Sequence, residues 1–169
     1  MYTASLAEEG PFIIRYPRGY GEGTAWKEQP FEVMEPGKGE LLLKGSDIAV
    51  IAAGPSANRA VEAALRMKEE TGWNPSIYNI RYIKPLDTSL LSGISGSHSK
   101  VITIEDGCII GGLHGAVSEF LSGSGTPVHI KAIGIEDRYI SQGTQEELRE
   151  ECGLTSDSIY ELLREEREK

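Results

Sequence analysis

The sequence predicts a three-layer α/β domain in which a mainly parallel sheet carries helices on both faces. Two observations lead to this prediction. From Glu40 onward, apolar segments of strand length alternate with segments of helical periodicity. In addition, Ile48–Ala53 is almost continuously apolar, which is typical of a strand covered on both sides. Such alternation favours parallel strands joined by helical crossovers.

The strands of this domain are predicted from apolar runs bounded by turn residues. They are Glu40–Leu43, Ile48–Ala53, Ser76–Tyr82, Val101–Ile104 and Val128–Ile133. The first of them is short and comes after a turn-rich stretch. We therefore expect it to run antiparallel at an edge of the sheet.

Capping residues and apolar stripes predict the helices. The expected N-caps are Ser56, Asp87, Thr144 and Thr155, with Glu147 completing a capping box and Gly111-Gly112 opening one further helix. The expected buried stripes are Ala57, Ala60, Val61, Ala64 and Leu65; Leu90, Leu91 and Ile94; and Leu113, Val117, Phe120 and Leu121. Gly72 and Gly153 stand where helices are expected to end.

Residues 1–38 differ in character from the rest of the chain. Phe12–Arg15 predicts a short strand, but glycine, proline and charged residues dominate the remainder of this segment. We expect the chain to begin partway through a domain. Residues 1–38 would then form the end of that domain and a linker, and residues 39–169 the α/β domain.

Charge and cysteine content exclude some classes of function. The net charge of −9 argues against nucleic-acid binding, which needs a positive surface to replace counterions. No apolar run approaches the ~20 residues that span a bilayer. Cys108 and Cys152 lie far apart and form no C-x-x-C motif. A reduced, cytoplasmic setting is therefore expected.

Two features near predicted strand ends are candidates for chemistry. The segment Gly111–Gly115 opens a helix whose free N–H groups would attract phosphate, but it lacks the G-x-G-x-x-G pattern, and a tight turn is the better interpretation. Glu105 and Asp106 come directly after a strand, where α/β sheets place ligands. Adjacent carboxylates point to opposite faces, which argues against an acid–base dyad, and Asp106-Gly107 also predicts a turn.

The remaining candidates are single residues. His98, His114 and His129 are not at ligand spacing, so no metal site is expected. His129 falls in a strand, whereas His114 lies in a first helical turn and is a candidate contact with a partner chain. Cys108 is a candidate thiol, although a small loop or core residue is the simpler interpretation. Arg18, beside a Pro-Gly turn, is the strongest candidate for binding phosphate, but from the residues alone a surface arginine is simpler.

Four motifs carry a family resemblance that covers essentially the whole chain. They are Ile14–Gly19 (IRYPRG), Ile80–Asp87 (IRYIKPLD), Val101–Gly112 (VITIEDGCIIGG) and Ile133–Thr144 (IGIEDRYISQGT). In order and spacing they resemble the end of the pyrimidine-binding domain and the C-terminal domain of 1-deoxy-D-xylulose-5-phosphate synthases. These are transketolase-like enzymes that use thiamine diphosphate.

The resemblance implies a function that belongs to a larger protein. Such enzymes condense pyruvate with glyceraldehyde 3-phosphate, release carbon dioxide and supply isoprenoid, thiamine and pyridoxal synthesis. Their upstream domains hold thiamine diphosphate and Mg²⁺ and carry the activating glutamate. The resemblance therefore implies no catalytic, cofactor-binding or metal-binding residue in this chain, which would be inactive alone. Arg18 matches the arginine that binds the phosphate of the acceptor aldehyde. The C-terminal domain mainly braces the other domains and a homodimer.

The chain departs from the family pattern at one point, and two other functions stay open. Relatives usually have Gly-Gly-Ala-Gly-Ser where this chain has Gly-Gly-Leu113-His114-Gly, and the larger side chains argue against a tight backbone approach there. One alternative is a stand-alone module that docks on a separately encoded transketolase-like catalytic chain. The other is a small nucleotide-binding α/β domain, supported only by the glycine segment.

Overall fold

Five strands of the computed structural model form one sheet in the order β1-β3-β2-β4-β5. They are β1 (Glu40–Leu43), β2 (Ile48–Ala52), β3 (Ser76–Asn79), β4 (Lys100–Cys108) and β5 (His129–Ile135). Strands β2 to β5 run parallel, and β1 pairs antiparallel with β3 at one edge, as the sequence predicts. The structure describes residues 2–6, 10–16, 28, 30–125 and 127–169.

Among the residues that the structure describes, one helix precedes the first strand, three follow β2, β3 and β4 in turn, and two come after β5. They are α1 (Tyr2–Ser5), α2 (Ser56–Thr71), α3 (Thr88–Ser95), α4 (Leu113–Gly123), α5 (Gln145–Glu151) and α6 (Ser156–Glu168). Of the helices in the described part of the chain, none has the length and apolar character needed to cross a membrane.

Alternating residues of the central strand β2 reach two separate apolar cores. Ile48, Val50 and Ala52 pack with α2 and α6 on one face of the sheet. Ala49 and Ile51 pack with α3 and α4 on the other face. The side-chain period of two in a strand produces this division. The predicted three-layer α/β class is therefore confirmed.

Strands β3 and β4 differ in length from the prediction. β3 ends at Asn79 rather than at Tyr82, because Arg81 adopts a left-handed conformation with φ of 55° that cannot continue a strand. β4 extends through Asp106-Gly107 to Cys108, so the turn predicted at that dipeptide is wrong. The longer β5 supplies the reason, since Cys108 still pairs with Ile135 after an irregularity in the register.

Helix α2 differs from the prediction in its N-cap and in one residue of its buried face. Its N-cap is Pro55, which makes no side-chain capping bond, and Ser56 is the first helical residue rather than the cap. Leu65, expected in the buried stripe, is 44% exposed, whereas Met67 is buried. Contact with α6 and the sheet selects a buried face rotated from the one that the apolar pattern alone indicates.

The chain divides into two compact units, Met1–Pro36 and Gly37–Lys169. In the first, the N–H of Met34 donates to the Thr3 hydroxyl over 2.9 Å, and the rings of Tyr2 and Phe31 stack. The strand predicted at Phe12–Arg15 is wrong, because no described strand of this unit lies beside residues 11–16 to complete their hydrogen bonds. The assignment of residues 1–38 to a preceding domain and linker stays a prediction.

A buried carboxylate ties α6 to the start of β5. Glu166 is 2% exposed and accepts hydrogen bonds from Lys131 Nζ at 2.9 Å and Lys169 Nζ at 2.8 Å. His129 Nε2 lies 3.7 Å from the same carboxylate, and Lys100 Nζ donates to the Glu166 carbonyl. The Lys169 and Lys131 hydrogen bonds outweigh burial and lower the pKa of Glu166 to about 2.

Glu166 should give the chain an acid-dependent stability. Since its folded pKa lies below the ordinary 4.5, its contribution is present above that value and is lost as the pH falls towards 2. Glu166→Gln should lower the free energy of unfolding at pH 7 by about 1–2 kcal/mol, because charged hydrogen bonds to half-exposed lysines are lost.

Urea titrations from pH 7 to pH 2.5 measure this difference. The gap between wild type and Glu166→Gln should shrink as the pH falls through this range. Glu165→Gln, an exposed neighbour on the same helix, is the matched control and should change stability by less than about 0.5 kcal/mol. A difference in unfolding free energy that stays constant with pH would contradict the contribution assigned to ionised Glu166.

Candidate functional site

Three of the four sequence motifs meet at the carboxyl edge of the parallel sheet. They form the loops after β3, β4 and β5, and the helices α3, α4 and α5 begin where these loops end. The chain passes from β2 to β3 on one side and returns to β4 on the other, so the strand order reverses between β2 and β4. The carboxyl ends at such a reversal are where open α/β sheets bind ligands.

The carboxylate of Glu105 occupies the N-terminus of helix α4. Its Oε2 accepts from the Leu113 N–H at 2.9 Å and its Oε1 from the His114 N–H at 3.0 Å. Glu105 is 2% exposed. These two N–H groups would otherwise be free, and the positive end of the helix favours a negative charge. An internal carboxylate thus fills the position that a phosphate would take, which supports the tight-turn interpretation of the glycine segment.

Two glycines give Glu105 its room. A Cβ on Gly112 would lie 2.3 Å from Glu105 Oε2 and equally close to the Cys108 carbonyl oxygen. A Cβ on Gly134 of β5 would lie 3.3 Å from Glu105 Cγ and would also meet the Ile109 side chain at 2.9 Å. The larger side chains of Leu113 and His114 do not exclude a close backbone approach here, because Leu113 is buried in the core and Gly112 makes the approach.

His114 makes two side-chain contacts within the domain, and its expected contact with a partner chain stays a prediction. Its Nδ1 lies 3.0 Å from the Thr103 hydroxyl, and its Nε2 lies 3.4 Å from the Ser118 hydroxyl. Thr103 is buried in β4 and also donates to the Lys131 carbonyl of β5 over 3.4 Å. The His114 side chain therefore links α4 to β4, and through Thr103 to β5. These contacts give the imidazole a structural role within the domain.

Asp87 caps a helix in the loop after β3, as Glu105 does in the loop after β4. Its carboxylate accepts from the Leu90 N–H, which caps α3, and from the Gly39 N–H, each at 3.0 Å. Burial opposes the charged form, but these N–H groups and Lys38, 3.9 Å away, lower the pKa of Asp87 below its ordinary value. The cap predicted for this helix is confirmed, and it also anchors the chain where β1 begins.

Thr144 and Glu147 cap helix α5 at the end of the loop after β5. The Glu147 N–H donates to the Thr144 hydroxyl at 3.3 Å, and the Thr144 N–H donates to Glu147 Oε2 at 2.8 Å. The predicted capping box is confirmed. The Thr144 backbone N–H and hydroxyl lower the pKa of Glu147. Arg138 in the same loop pairs with Glu151 of α5 at 2.6 Å, which ties the loop to its helix.

His98 and His129 lie away from this edge, at the amino ends of β4 and β5. His98 Nε2 lies 3.0 Å from the buried Ser76 hydroxyl, and His129 is exposed beside Glu166. Cys108 is a free, exposed thiol at the end of β4. Arg18 lies outside the described residues, so its place stays a prediction. The capping role of Glu105 was missed because no local pattern joins a strand residue to a helix that begins eight positions later.

Two observations bear on whether the described residues could hold a magnesium diphosphate group. Within residues 2–6, 10–16, 28, 30–125 and 127–169, no three His, Cys, Asp or Glu side chains lie together in a way that could hold a metal ion. The N–H groups of Leu113 and His114, which would suit a phosphate, already bind Glu105. No part of a cofactor reaction is therefore assigned to these residues.

Fold and edge together define an α/β domain with helices on both faces and capped loops at its carboxyl edge. Residues 37–159 match the family described as the C-terminal domain of transketolase. The chain belongs to this family. A solved structure described as a split gene transketolase, inactive beta4 tetramer, superposes with a TM-score of 0.72 and 31% identity, over 79% of this chain and 43% of that one.

Two curated relatives resemble the chain over nearly its whole length. It is 42% identical over 163 residues to the 1-deoxy-D-xylulose-5-phosphate synthase of Phocaeicola vulgatus and 43% identical over 163 residues to that of Bacteroides thetaiotaomicron. Each match covers 96% of this chain but 26% and 25% of those proteins, respectively. The chain thus spans about a quarter of the relatives' length, and the resemblance predicted from the four motifs is confirmed.

A matched pair of glycine substitutions tests the Glu105 cap. Gly112→Ala should lower the free energy of unfolding by about 1–3 kcal/mol or more, because the new methyl group collides with a carboxylate and a carbonyl that cannot both move. Gly115→Ala, one turn further along α4, meets open space and should stabilise by up to about 1 kcal/mol. Chemical denaturation of both variants measures the difference, and equal effects would refute the assigned crowding.

Proposed function

We propose that the chain is the C-terminal part of a thiamine-diphosphate-dependent 1-deoxy-D-xylulose-5-phosphate synthase. The observation that carries the proposal is 42–43% identity across 96% of the chain to synthases of this name. The complete enzyme would join pyruvate to glyceraldehyde 3-phosphate with loss of carbon dioxide, a reaction that serves isoprenoid precursor synthesis. Thiamine diphosphate and Mg²⁺ would be held by residues outside this chain.

The proposed task of this domain is to brace the catalytic domains and a homodimer. Support comes from its carboxyl edge, where Asp87, Glu105 and Thr144 each fix a loop to the next helix. Rigid loops suit a supporting surface, because little conformational entropy is lost when they are contacted. The two free cysteines, Cys108 and Cys152, are consistent with the proposed cytoplasmic location.

A second arrangement is favoured by one comparison. The split gene transketolase structure shares 31% identity with the chain and superposes over 79% of it. This chain would then be a module that docks on a separately encoded catalytic chain. Reading the genomic region upstream separates the two arrangements. Continuous coding sequence for the catalytic domains supports the synthase, whereas a separate neighbouring gene supports the docking module.

The direct test of the synthase is an activity measurement on the product of the complete reading frame. With thiamine diphosphate, Mg²⁺, pyruvate and glyceraldehyde 3-phosphate, the purified enzyme should form 1-deoxy-D-xylulose 5-phosphate and carbon dioxide. Replacement of the acceptor by ribose 5-phosphate is the control for transketolase-like specificity. Turnover of the pentose phosphate alone would refute the proposed substrate.

Arg18 is proposed to bind the phosphate of the acceptor aldehyde in the complete enzyme. Charged hydrogen bonds contribute roughly 1.5–3 kcal/mol, so Arg18→Ala should lower kcat/KM for glyceraldehyde 3-phosphate about 10- to 150-fold. Arg18→Lys should restore only part of this loss, because an ammonium cannot form the bidentate fork. Unphosphorylated glyceraldehyde is the control substrate. An equal loss with both aldehydes would show that Arg18 does not bind the phosphate.

The chain of residues 1–169 alone is proposed not to bind the cofactor. Titration calorimetry with thiamine diphosphate and Mg²⁺ should show no saturable heat in the micromolar range, because the proposed ligands lie upstream. The complete enzyme under the same conditions should show such heat. A metal-dependent micromolar site on residues 1–169 would contradict the proposal.

A further inference from the structure

Each of the three motif loops at the carboxyl edge projects one large apolar side chain into solvent. Ile83 comes after β3 and is 36% exposed, Ile110 comes after β4 and is 72% exposed, and Tyr139 comes after β5 and is fully exposed. We call these three residues the carboxyl-edge patch. Single exposed apolar residues are common, but the largest apolar patch on a monomer is often functional.

The strand order brings the members of the patch near one another. β4 and β5 are neighbours, and β3 is separated from β4 only by β2. With strands about 4.8 Å apart, the loops span roughly 15 Å along the edge. The Ile109 N–H donates to the Ile135 carbonyl over 3.0 Å, which joins the loop of Ile110 to the strand that leads to Tyr139.

The loops that carry the patch are held by the caps already described. Asp87 holds the end of the first loop, Glu105 the end of the second and Thr144 the end of the third. The patch is therefore presented by a fixed frame, so that docking on it costs little ordering entropy.

The area of the patch limits what can occupy it. Three side chains with these exposures offer roughly 400 Å², which matches the largest patch of an ordinary monomer. A stable interface between free molecules buries about 800 Å² on each partner. A second copy of the chain would therefore dissociate from this patch alone. A covalently linked domain, at an effective concentration in the millimolar range, stays docked with a dissociation constant below about 1 mM.

We propose that the carboxyl-edge patch docks on the part of the synthase polypeptide that lies outside residues 1–169. This inference rests on the proposed function, and about three quarters of such a polypeptide is outside the chain. Tyr139 provides the anchor, because an aromatic ring with a polar tip combines apolar area with one hydrogen bond at low entropic cost. Ile110 and Ile83 extend the apolar contact on the neighbouring loops.

Photo-crosslinking in the complete enzyme tests the occupant. A benzophenone-bearing phenylalanine at position 139 should crosslink to peptides upstream of residue 1 of this chain, as identified by mass spectrometry. The same analogue at position 65, where Leu65 is 44% exposed on α2, is the matched control and should give no such product. Crosslinks to residues 37–169 of a second copy, or no crosslink at position 139, would overturn the proposal.

Substitution of the patch supplies an independent measurement. The double variant Ile110→Ser, Tyr139→Ser should raise the rate at which limited proteolysis releases the domain from the complete enzyme by about tenfold, because this rate depends on the undocked fraction. Leu65→Ser should leave the rate within twofold, and circular dichroism of each variant checks that the domain is folded. Equal release rates for the double variant and the wild type would overturn the docking role.

Different measurements would refute the proposed reaction and the proposed docking surface. Wild-type enzyme that forms no 1-deoxy-D-xylulose 5-phosphate but still crosslinks upstream from position 139 refutes the proposed reaction and retains the docking surface. Active wild-type enzyme without the upstream crosslink refutes only the docking surface.

Discussion

The carboxylate of Glu105, buried between β4 and the first turn of α4, sets the shape of the carboxyl edge. A buried charge is costly unless its oxygens are hydrogen-bonded, and here the Leu113 and His114 N–H groups meet that need while their own helix end is satisfied. The arrangement leaves no room for a Cβ at Gly112 and little at Gly134. The hydrogen bonds of Glu105 to α4 therefore fix the position and direction of the loop after β4.

The loops on either side of this one use the same physical device with different residues. Asp87 neutralises the start of α3 and also binds the Gly39 N–H, whereas Thr144 and Glu147 satisfy each other at the start of α5. Each strand end is thus coupled to a helix dipole by a short polar contact. The carboxylates of Asp87, Glu105 and Glu147 at this edge are therefore engaged in helix caps.

A cluster of charged groups lies at the opposite end of the sheet. In a chain of net charge −9, Lys131 and Lys169 gather around the buried Glu166, with His129 beside them. These groups join α6 to β5, an outer strand whose side chains are only partly covered. Lysine on an outer strand also discourages pairing with another sheet. The cationic residues here therefore stabilise the fold and shield its edge.

Local signals in the sequence determined the helices and strands. Contacts between residues distant in the sequence determined the structure of the carboxyl edge of the sheet. The alternation of strand and helix, the caps at Asp87, Thr144 and Thr155, and the end of α2 at Gly72 arise from short-range patterns that the structure confirms. The family was also evident from motif order. The role of Glu105, by contrast, exists only because the chain folds back over eight residues. The length of β4 depends on pairing with β5, and the buried face of α2 depends on α6, so tertiary contact overrode local preference there.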